Sequence, residues 1–327
     1  MTLPVPLRRC APLVLFFLVA FASLGCVRGA ERTDLDAGSA ARVPKLAAKI
    51  HAAPLSDRFV QASALFLGTT YRDGPLGEGD AGGPDPDPRV DFSAVDCVTY
   101  LEQSLALALC GGRDSAAAAP DAFLRVLDRI RYHDGQVGFV QRNHYMMRDW
   151  VPANAWLVED VTDRLAPGAA VTLTHTIDRA KFLRDKGVTP RPGLDDAGPL
   201  SMKIVPREAV ASVAAAIRSG DLVFWAAKKD GIDVAHTGLA VRDRKGKLRF
   251  RHASPKAGKV VEESLADYAA HATFAAGIVV VRLREDAAPP LSSTPPSEAP
   301  SPAAAPAAPV TSAAPPAPAP QNPQGSR

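Results

Sequence analysis

The chain has 327 residues, 46% of them hydrophobic, and a formal net charge of +3 from 38 basic and 35 acidic residues. This length and apolar content are enough for one large or two ordinary domains with a hydrophobic core. The basic residues form no stripe and no cluster interleaved with aromatic side chains, so the sequence argues against a nucleic-acid partner.

The first 29 residues have the layout of a signal peptide. Arg8 and Arg9 precede an apolar run over 13–24, which is short for a membrane span and is followed by small residues. The stretch SLGC also resembles a lipoprotein processing site with Cys26 as the lipidated residue, although Ser23 stands where that site usually has Leu. We therefore expect export to the periplasm or cell envelope. The two alternatives are plain secretion and a membrane contact made only through a lipid anchor at Cys26.

Composition divides the remainder of the chain into three parts. Residues 30–43 are predicted to be a linker and residues 44–286 the folded domain, which we expect to be monomeric. Residues 287–327 are Pro, Ala and Ser with few bulky apolar side chains, so they cannot bury enough surface to offset the entropy of ordering them. We expect a disordered tail there.

Within the domain, helical patterns come first and strand patterns later. Helical periodicity occurs around 60–65, from Cys97 onward, at 120–132 and at 206–220. Strand-like runs follow at 221–227, 233–243, 247–254 and 275–284. This order predicts an α+β fold with antiparallel pairing. Two long stretches, 71–91 and 175–199, are interpreted as loops of the kind that often carry binding residues.

Cys97 and Cys110 are the two cysteines of the predicted domain. If both lie on one helix, 13 residues separate their Cα atoms by about 20 Å, which is far beyond the reach of a disulfide. Asp96 or Ser93 can cap the start of this helix, and Cys97 then lies in its first turn. The helix dipole and the unpaired N–H groups there are expected to favour a thiolate and to bind an oxyanion. The alternative is a small buried cysteine that only packs.

Two of the seven histidines, His236 and His252, lie inside strand-like runs on either side of the loop RDRKGK. If the hairpin is centred near Arg244, the two positions face each other directly, with Cβ atoms about 5 Å apart. An even-residue turn without a bulge would instead place the imidazoles on opposite faces.

A thiol and two imidazoles are the groups that cysteine hydrolysis needs. One imidazole takes the thiol proton and passes it to the leaving amine, while the second orients the first. Two alternatives remain at this point: ordinary strand histidines, and a metal site made of Cys97, His236 and His252. The sequence lacks paired-ligand spacings such as HExxH or CxxC, so we expect neither a metal nor a cofactor.

Five stretches of the chain resemble a known superfamily: ALFLGTTYRDG, DFSAVDCVTYLEQSLALAL, VQRNHYMMRDWVPAN, IRSGDLVFWAAKKDGIDVAHTGLAV and RHASPKAGKVVEESLADY. They are similar to the papain-fold, NlpC-like cell-wall hydrolases, and more closely to their N-acetylmuramoyl-L-alanine amidase-like branch. The resemblance covers about residues 55–283. It implies a helix that bears the nucleophilic cysteine and packs on an antiparallel sheet that bears both histidines.

The resemblance also implies roles for individual residues. Cys97 matches the nucleophile, His236 the base and His252 the residue that orients the base. Substrate binding is assigned to the remaining matched positions, which are Tyr71, Asp96, Arg142, His144, Tyr145 and Trp150.

We therefore predict a cysteine amidase that cleaves the N-acetylmuramoyl–L-alanine amide of peptidoglycan or muropeptides through a thioacyl-enzyme. The alternatives are a γ-D-glutamyl-diamino acid endopeptidase of the same fold and a non-catalytic cell-wall-binding protein.

Overall fold

The structure is a computed structural model that describes residues 37–79, 83–113, 116–193 and 195–288. Its α-helices in chain order are α1 (Val43–Ala47), α2 (Leu55–Ala64), α3 (Cys97–Cys110), α4 (Pro120–Arg131), α5 (Val151–Ala153), α6 (Thr162–Leu165), α7 (Arg179–Asp185), α8 (Val210–Val213) and α9 (Leu265–His271). Its strands are β1 (Thr70–Tyr71), β2 (Ala94–Val95), β3 (Val158–Asp160), β4 (Val171–Ile177), β5 (Gly198–Pro206), β6 (Leu222–Ala227), β7 (Val234–Arg242), β8 (Leu248–Ser254), β9 (Lys259–Ser264) and β10 (Ala275–Leu283). The predicted signal peptide, and the predicted tail beyond residue 288, lie outside the described residues.

The strands form one mixed sheet. Its order is β2-β1-β9-β8-β7-β6-β10-β5-β4, and β3 pairs with β10 beside this path. All pairings are antiparallel except that of β1 with β2. The prediction of an α+β fold with an antiparallel meander is confirmed for β6 to β8 and β10, with one parallel pair added at the edge.

Helix α3 is buried on nearly every side rather than along one stripe. From Thr99 to Cys110 every residue is buried, because α2 and α4 cover the side of the helix that faces away from the sheet. Glu102 is paired there with Arg131 at 2.7 Å, so the one carboxylate in the helix interior is neutralised. A helix enclosed in this way is held rigidly, and its first residue has a fixed position.

Two cores lie on opposite faces of the sheet. Leu239 and Val241 of β7 belong to the core that contains α3, whereas Ala240 belongs to the second core with Trp225 and Phe250. This alternation follows from the two-residue period of a strand. Thr237 therefore lies on the side of α3, and His236 lies on the side of the second core.

Three predictions about the fold are corrected by the structure. The helix expected over 206–220 is reduced to a 3₁₀ turn at Arg207–Ala209 and the short α8. The supposed loop 175–199 is part of a hairpin between β4 and β5 that carries α7 at its tip, since the whole of β4 pairs with residues 198–204 of β5. The fold also begins before residue 44, because Ala40 and Val43 are buried.

None of the helices in the described ranges is long and apolar enough to cross a bilayer.

Candidate active site

Cys97 is the first residue of α3. The Asp96 side chain accepts a hydrogen bond from the Thr99 N–H at 2.7 Å, and the Asp96 N–H donates to the Thr99 hydroxyl at 2.9 Å. This reciprocal capping box fixes where the helix starts and confirms Asp96 as its cap. Thr237 of β7 donates its hydroxyl to the Cys97 carbonyl at 2.9 Å, which ties the start of the helix to the sheet.

His236 and His252 form a hydrogen-bonded pair. His236 Nε2 lies 2.7 Å from His252 Nδ1, and the ring centroids are 4.9 Å apart. The register pairs Ala240 with Phe250, so the hairpin is centred one residue later than Arg244 and the histidines are diagonal neighbours rather than directly opposed. They still share a face, because this shift moves the pairing by two positions.

The thiol and the first histidine line one cavity. Its volume is 380 Å³, and the described residues around it are Cys97, Val98, His144, Tyr145, Met146, Phe182, Gly231, Ile232, Asp233, Val234, Ala235, His236 and Thr237. The cavity thus lies where β7 begins and α3 begins. None of these lining residues is a lysine or arginine.

Two tyrosines, Tyr71 and Tyr268, lie near Cys97. Burial raises the pKa of Tyr71 to about 12, with the Cys97 sulfur as the next contribution. Burial likewise raises the pKa of Tyr268, and Glu263 and then Cys97 add to that rise. The Tyr268 ring centroid is 5.0 Å from that of His252, so this tyrosine connects the surroundings of the thiol with the histidine pair.

The expectation of a thiolate at Cys97 is not met in this cavity. Cys97 is partly exposed, but the surrounding protein raises the pKa of its thiol to about 12 by burial, and the Asp96 carboxylate adds to the rise. Burial also lowers the pKa of His236 to about 3, with a smaller effect from His252. Both groups are therefore neutral near pH 7, and His236 is a free base beside a protonated thiol.

This protonation state predicts how the thiol reacts with iodoacetamide in the absence of substrate. The rate of Cys97 alkylation should rise about tenfold per pH unit from pH 7 and still be rising at pH 10, because only the thiolate reacts and its fraction keeps growing. Mass-spectrometric labelling, with Cys97→Ser as the background control, measures this profile. A rate that is already constant above pH 6 would instead indicate a preformed thiolate–imidazolium pair.

The substrate-binding residues predicted from sequence separate into two groups. Tyr71 lies near the thiol, and His144 and Tyr145 line the cavity. The His144 Nε2 atom lies 2.7 Å from the Phe139 carbonyl oxygen, and burial lowers the pKa of this ring to about 3. His144 is therefore a neutral ring that donates to this carbonyl.

The other predicted residues serve the scaffold. Trp150 is fully buried in the core with α3 and is not among the residues that line the cavity. Arg142 pairs with Glu78 at 2.6 Å and with Asp85 at 2.9 Å, and thereby fastens the Gly/Pro/Asp-rich segment to the domain. Asp96 acts as the helix cap described above.

Several residues that line the cavity were not predicted from the sequence. Phe182 comes from α7 of the hairpin that was interpreted as a loop, and Ile232 comes from the turn before β7. Asp233 supports that turn by accepting hydrogen bonds from the Met147 N–H at 2.6 Å and the Arg148 N–H at 3.2 Å. No group of three or more His, Cys, Asp or Glu side chains in the described part of the chain is arranged to hold a metal ion.

The fold and this cavity define an α+β protein with a large mixed sheet and a histidine pair beside a thiol. The chain belongs to the AmiA-like family, described as N-acetylmuramoyl-L-alanine amidase-like, which matches residues 61–278. It is thus a member of an amidase-like family of peptidoglycan hydrolases.

Solved structures share the fold. A Legionella pneumophila protein of the family DUF1460 is 24% identical, with 77% of this chain and 96% of that chain covered and a TM-score of 0.68. An N-acetylmuramoyl-L-alanine amidase from Bacteroides uniformis is also 24% identical, with 70% of this chain and 99% of that chain covered and a TM-score of 0.57. At these identities the likeness shows the fold alone. No curated protein matches the chain.

Proposed function

We propose that this protein is a cysteine amidohydrolase that cleaves the amide between N-acetylmuramic acid and L-alanine in peptidoglycan or its fragments. The observation that carries the proposal is the single cavity lined by Cys97 at a helix start and by His236, a neutral base. Membership of an amidase-like family supports the reaction class. A thiol at a helix start and an imidazole on a strand are also the elements of papain-like, NlpC-type hydrolases, and we place the chain in that branch.

The reaction would proceed through a thioester. As the Cys97 sulfur bonds to the lactyl carbonyl carbon, His236 takes the thiol proton, and it then gives this proton to the alanine nitrogen as the amide bond breaks. Water, deprotonated by His236, would next attack the thioester and release the muramic carboxylate and the free thiol. The thiol needs this concerted proton transfer because its surroundings raise its pKa to about 12, so that it stays protonated near neutral pH.

The start of α3 would bind the oxyanion. Among the first N–H groups of the helix, those of Val98 and Thr99 are directed to the Asp96 side chain, and that of Tyr100 is directed to the Asp96 carbonyl. The Cys97 N–H is not directed to Asp96 but faces the Cys97 sulfur. It lies on the same residue as the nucleophile, where a developing negative charge on the substrate oxygen is nearest.

The charge of the cavity favours the muramoyl bond over the γ-D-glutamyl bond. The muramoyl acyl group is neutral around its scissile carbonyl, whereas a γ-D-glutamyl acyl group carries its own α-carboxylate. The described residues that line the cavity include no lysine or arginine, and the carboxylate among them, Asp233, is buried and bonded to backbone N–H groups. An anionic acyl group there would lose hydration without gaining a partner.

Digestion of defined substrates tests this proposal. Incubation with a disaccharide-tetrapeptide muropeptide should release the free disaccharide and the intact tetrapeptide, as identified by mass spectrometry. A free L-Ala-γ-D-Glu-diamino acid peptide should remain uncut. Cleavage of that peptide would support the endopeptidase instead, and binding without cleavage of either substrate would support a cell-wall-binding protein.

The cellular setting is also a proposal. We propose that residues 1–29 direct export, so that the domain meets the cell wall outside the cytoplasm. Fusion of these residues to a reporter that is active only after export, with Cys26→Ala as the variant that blocks lipidation, separates a lipoprotein from a secreted protein.

A further inference from the structure

The histidine pair continues to a third residue, Glu263 of β9. His252 Nε2 lies 2.9 Å from Glu263 Oε1, and His236 Nε2 lies 2.7 Å from His252 Nδ1. The register pairs Phe250 with Glu263, so Glu263 is a diagonal neighbour of His252, just as His252 is of His236. Three adjacent strands therefore carry one chain of hydrogen bonds that leads from the protein surface to the cavity.

The carboxylate at one end fixes every proton along this chain. An ionised carboxylate only accepts, so His252 must carry its proton on Nε2. Burial lowers the pKa of His252, so the ring is neutral and its Nδ1 is left as an acceptor. His236 must then donate to this acceptor from Nε2, which leaves its own Nδ1 without a proton. The nitrogen of His236 that can act as a base is thereby determined.

We propose that Glu263 is a positioning residue that sets the tautomer of His236 through His252, so that Nδ1 of His236 is the base. The use of this nitrogen in catalysis rests on the function proposed above, whereas the tautomer itself does not. When Nδ1 takes the proton from Cys97, the imidazolium keeps donating from Nε2, and the proton does not move on to Glu263. The carboxylate stabilises this cation across two rings, in the manner of an acidic residue that orients a catalytic histidine.

The exposure of Glu263 suits this role. Its side chain is 44% exposed while that of His252 is 1% exposed. The carboxylate therefore keeps part of its hydration, and the cost of burying a charge is avoided. From this exposed position the Glu263 carboxylate determines where the two buried imidazole rings carry their protons.

The neighbouring glutamate, Glu262, has different partners, so the proposed role belongs to Glu263 alone of the two. Glu262 pairs with Arg251 at 2.8 Å, and Arg251 in turn donates to the Ser63 hydroxyl at 2.7 Å and the Val60 carbonyl at 2.9 Å. Glu262 therefore joins β9 to α2, while Glu263 faces the histidines. Because successive residues of a strand point to opposite faces, each glutamate serves one side of the sheet.

The experiment is nitrogen-15 NMR of histidine-labelled, substrate-free protein, with His236 assigned through His236→Gln. In the unaltered protein, His236 should show a protonated Nε2 and an unprotonated Nδ1. In Glu263→Ala, the ring shifts should move toward a mixture of both tautomers. Glu263→Gln keeps an acceptor oxygen and should move less. Ring shifts that do not change in Glu263→Ala would overturn the proposal.

Kinetics on a muropeptide give the second readout. Glu263→Ala should lower kcat by about 10- to 100-fold, the range found when an outer hydrogen-bond partner that orients a metal-bound histidine is removed, and should leave KM within about twofold. Glu263→Gln should lose less. Glu208→Gln, which removes an exposed carboxylate elsewhere on the surface, should match the parent. An unchanged kcat in Glu263→Ala would contradict the role in catalysis.

The NMR and kinetic measurements test the tautomer proposal and the proposed function separately. The NMR measurement needs no substrate, so it tests the tautomer even if no muropeptide is cleaved. A thermal unfolding midpoint for each variant excludes loss of the fold as the cause, and Glu263→Gln, which keeps the shape of the side chain, serves if the alanine variant does not fold.

Discussion

Replacing Cys97 by alanine is expected to lower amidase turnover by at least about 10⁴-fold, the scale observed when a nucleophile that acts as a unit with its base is removed. Cys97 is the one thiol among the described residues that line the cavity, and the hydroxyl beside it, that of Thr237, donates to the Cys97 carbonyl at 2.9 Å. Release of tetrapeptide from a purified muropeptide, followed by chromatography, measures the loss.

Cys110→Ala is the matched control for this variant. Cys110 is the last residue of the same helix, is buried, and lies outside the cavity. It should keep near-parental activity and cost no more than about 1 kcal/mol of stability, as expected for one small buried side-chain atom. Turnover by Cys97→Ala above about 1% of the parent would contradict covalent catalysis through this thiol.

Replacing His236 by alanine is expected to reduce kcat/KM by about 10³-fold at pH 7, within the range that one general base contributes. A distinctive change in pH dependence should accompany this loss. The kcat/KM of the parent protein should be nearly independent of pH from 5 to 9, because His236 is neutral above its pKa of about 3 and the Cys97 thiol is protonated below its pKa of about 12.

The activity of His236→Ala should depend strongly on pH. Without the base, attack depends on thiolate formed by hydroxide, so the residual activity of His236→Ala should increase about tenfold per pH unit between pH 7 and 10. His271→Gln, on the last turn of α9 and outside the cavity, is the control and should match the parent. A flat, low profile in His236→Ala would show that His236 is not the group that removes the thiol proton.

A neutral thiol also has a consequence for a protein that we predict to be exported. Oxidation of cysteine follows thiolate character and access. Burial raises the pKa of Cys97 to about 12, so we expect the resting thiol to resist oxidation, and in the proposed mechanism it becomes nucleophilic only when His236 removes its proton. A preformed thiolate in the same place would be exposed to continuous oxidative loss.

Local physics explains which parts of the site could be predicted from the sequence. The start of α3 depends on Asp96 and Thr99, three residues apart, so the cap and the position of Cys97 were predicted correctly. The shared face of His236 and His252 depends on the two-residue period of strands. The prediction of a shared face therefore remains correct although the hairpin centre was placed one residue too early, since a shift of the pairing by two positions keeps both side chains on the same face. The prediction that the two histidines are directly opposed was wrong, because the length of the turn sets the strand register and the sequence pattern does not reveal it.

Other features depend on contacts between distant segments. Trp150 was assigned to the groove from its place in a motif, yet it packs in the core. The β4–β5 hairpin was missed because its exposed, polar residues and the helical tip α7 resemble a loop. Glu263 lies in a run, VVEES, that gives no indication of which of two adjacent glutamates faces the histidines.

The position of the thiol on its helix and the shared face of the two imidazoles could be predicted from the sequence, because they follow from contacts a few residues apart and from strand periodicity. The charge of these groups and the direction of their protons depend instead on contacts between distant parts of the chain. Burial of Cys97 and His236 results from packing of the whole domain, and it reverses the ionisation that the helix start alone would favour. The proton order from Glu263 to His236 exists only because β7, β8 and β9 are aligned side by side.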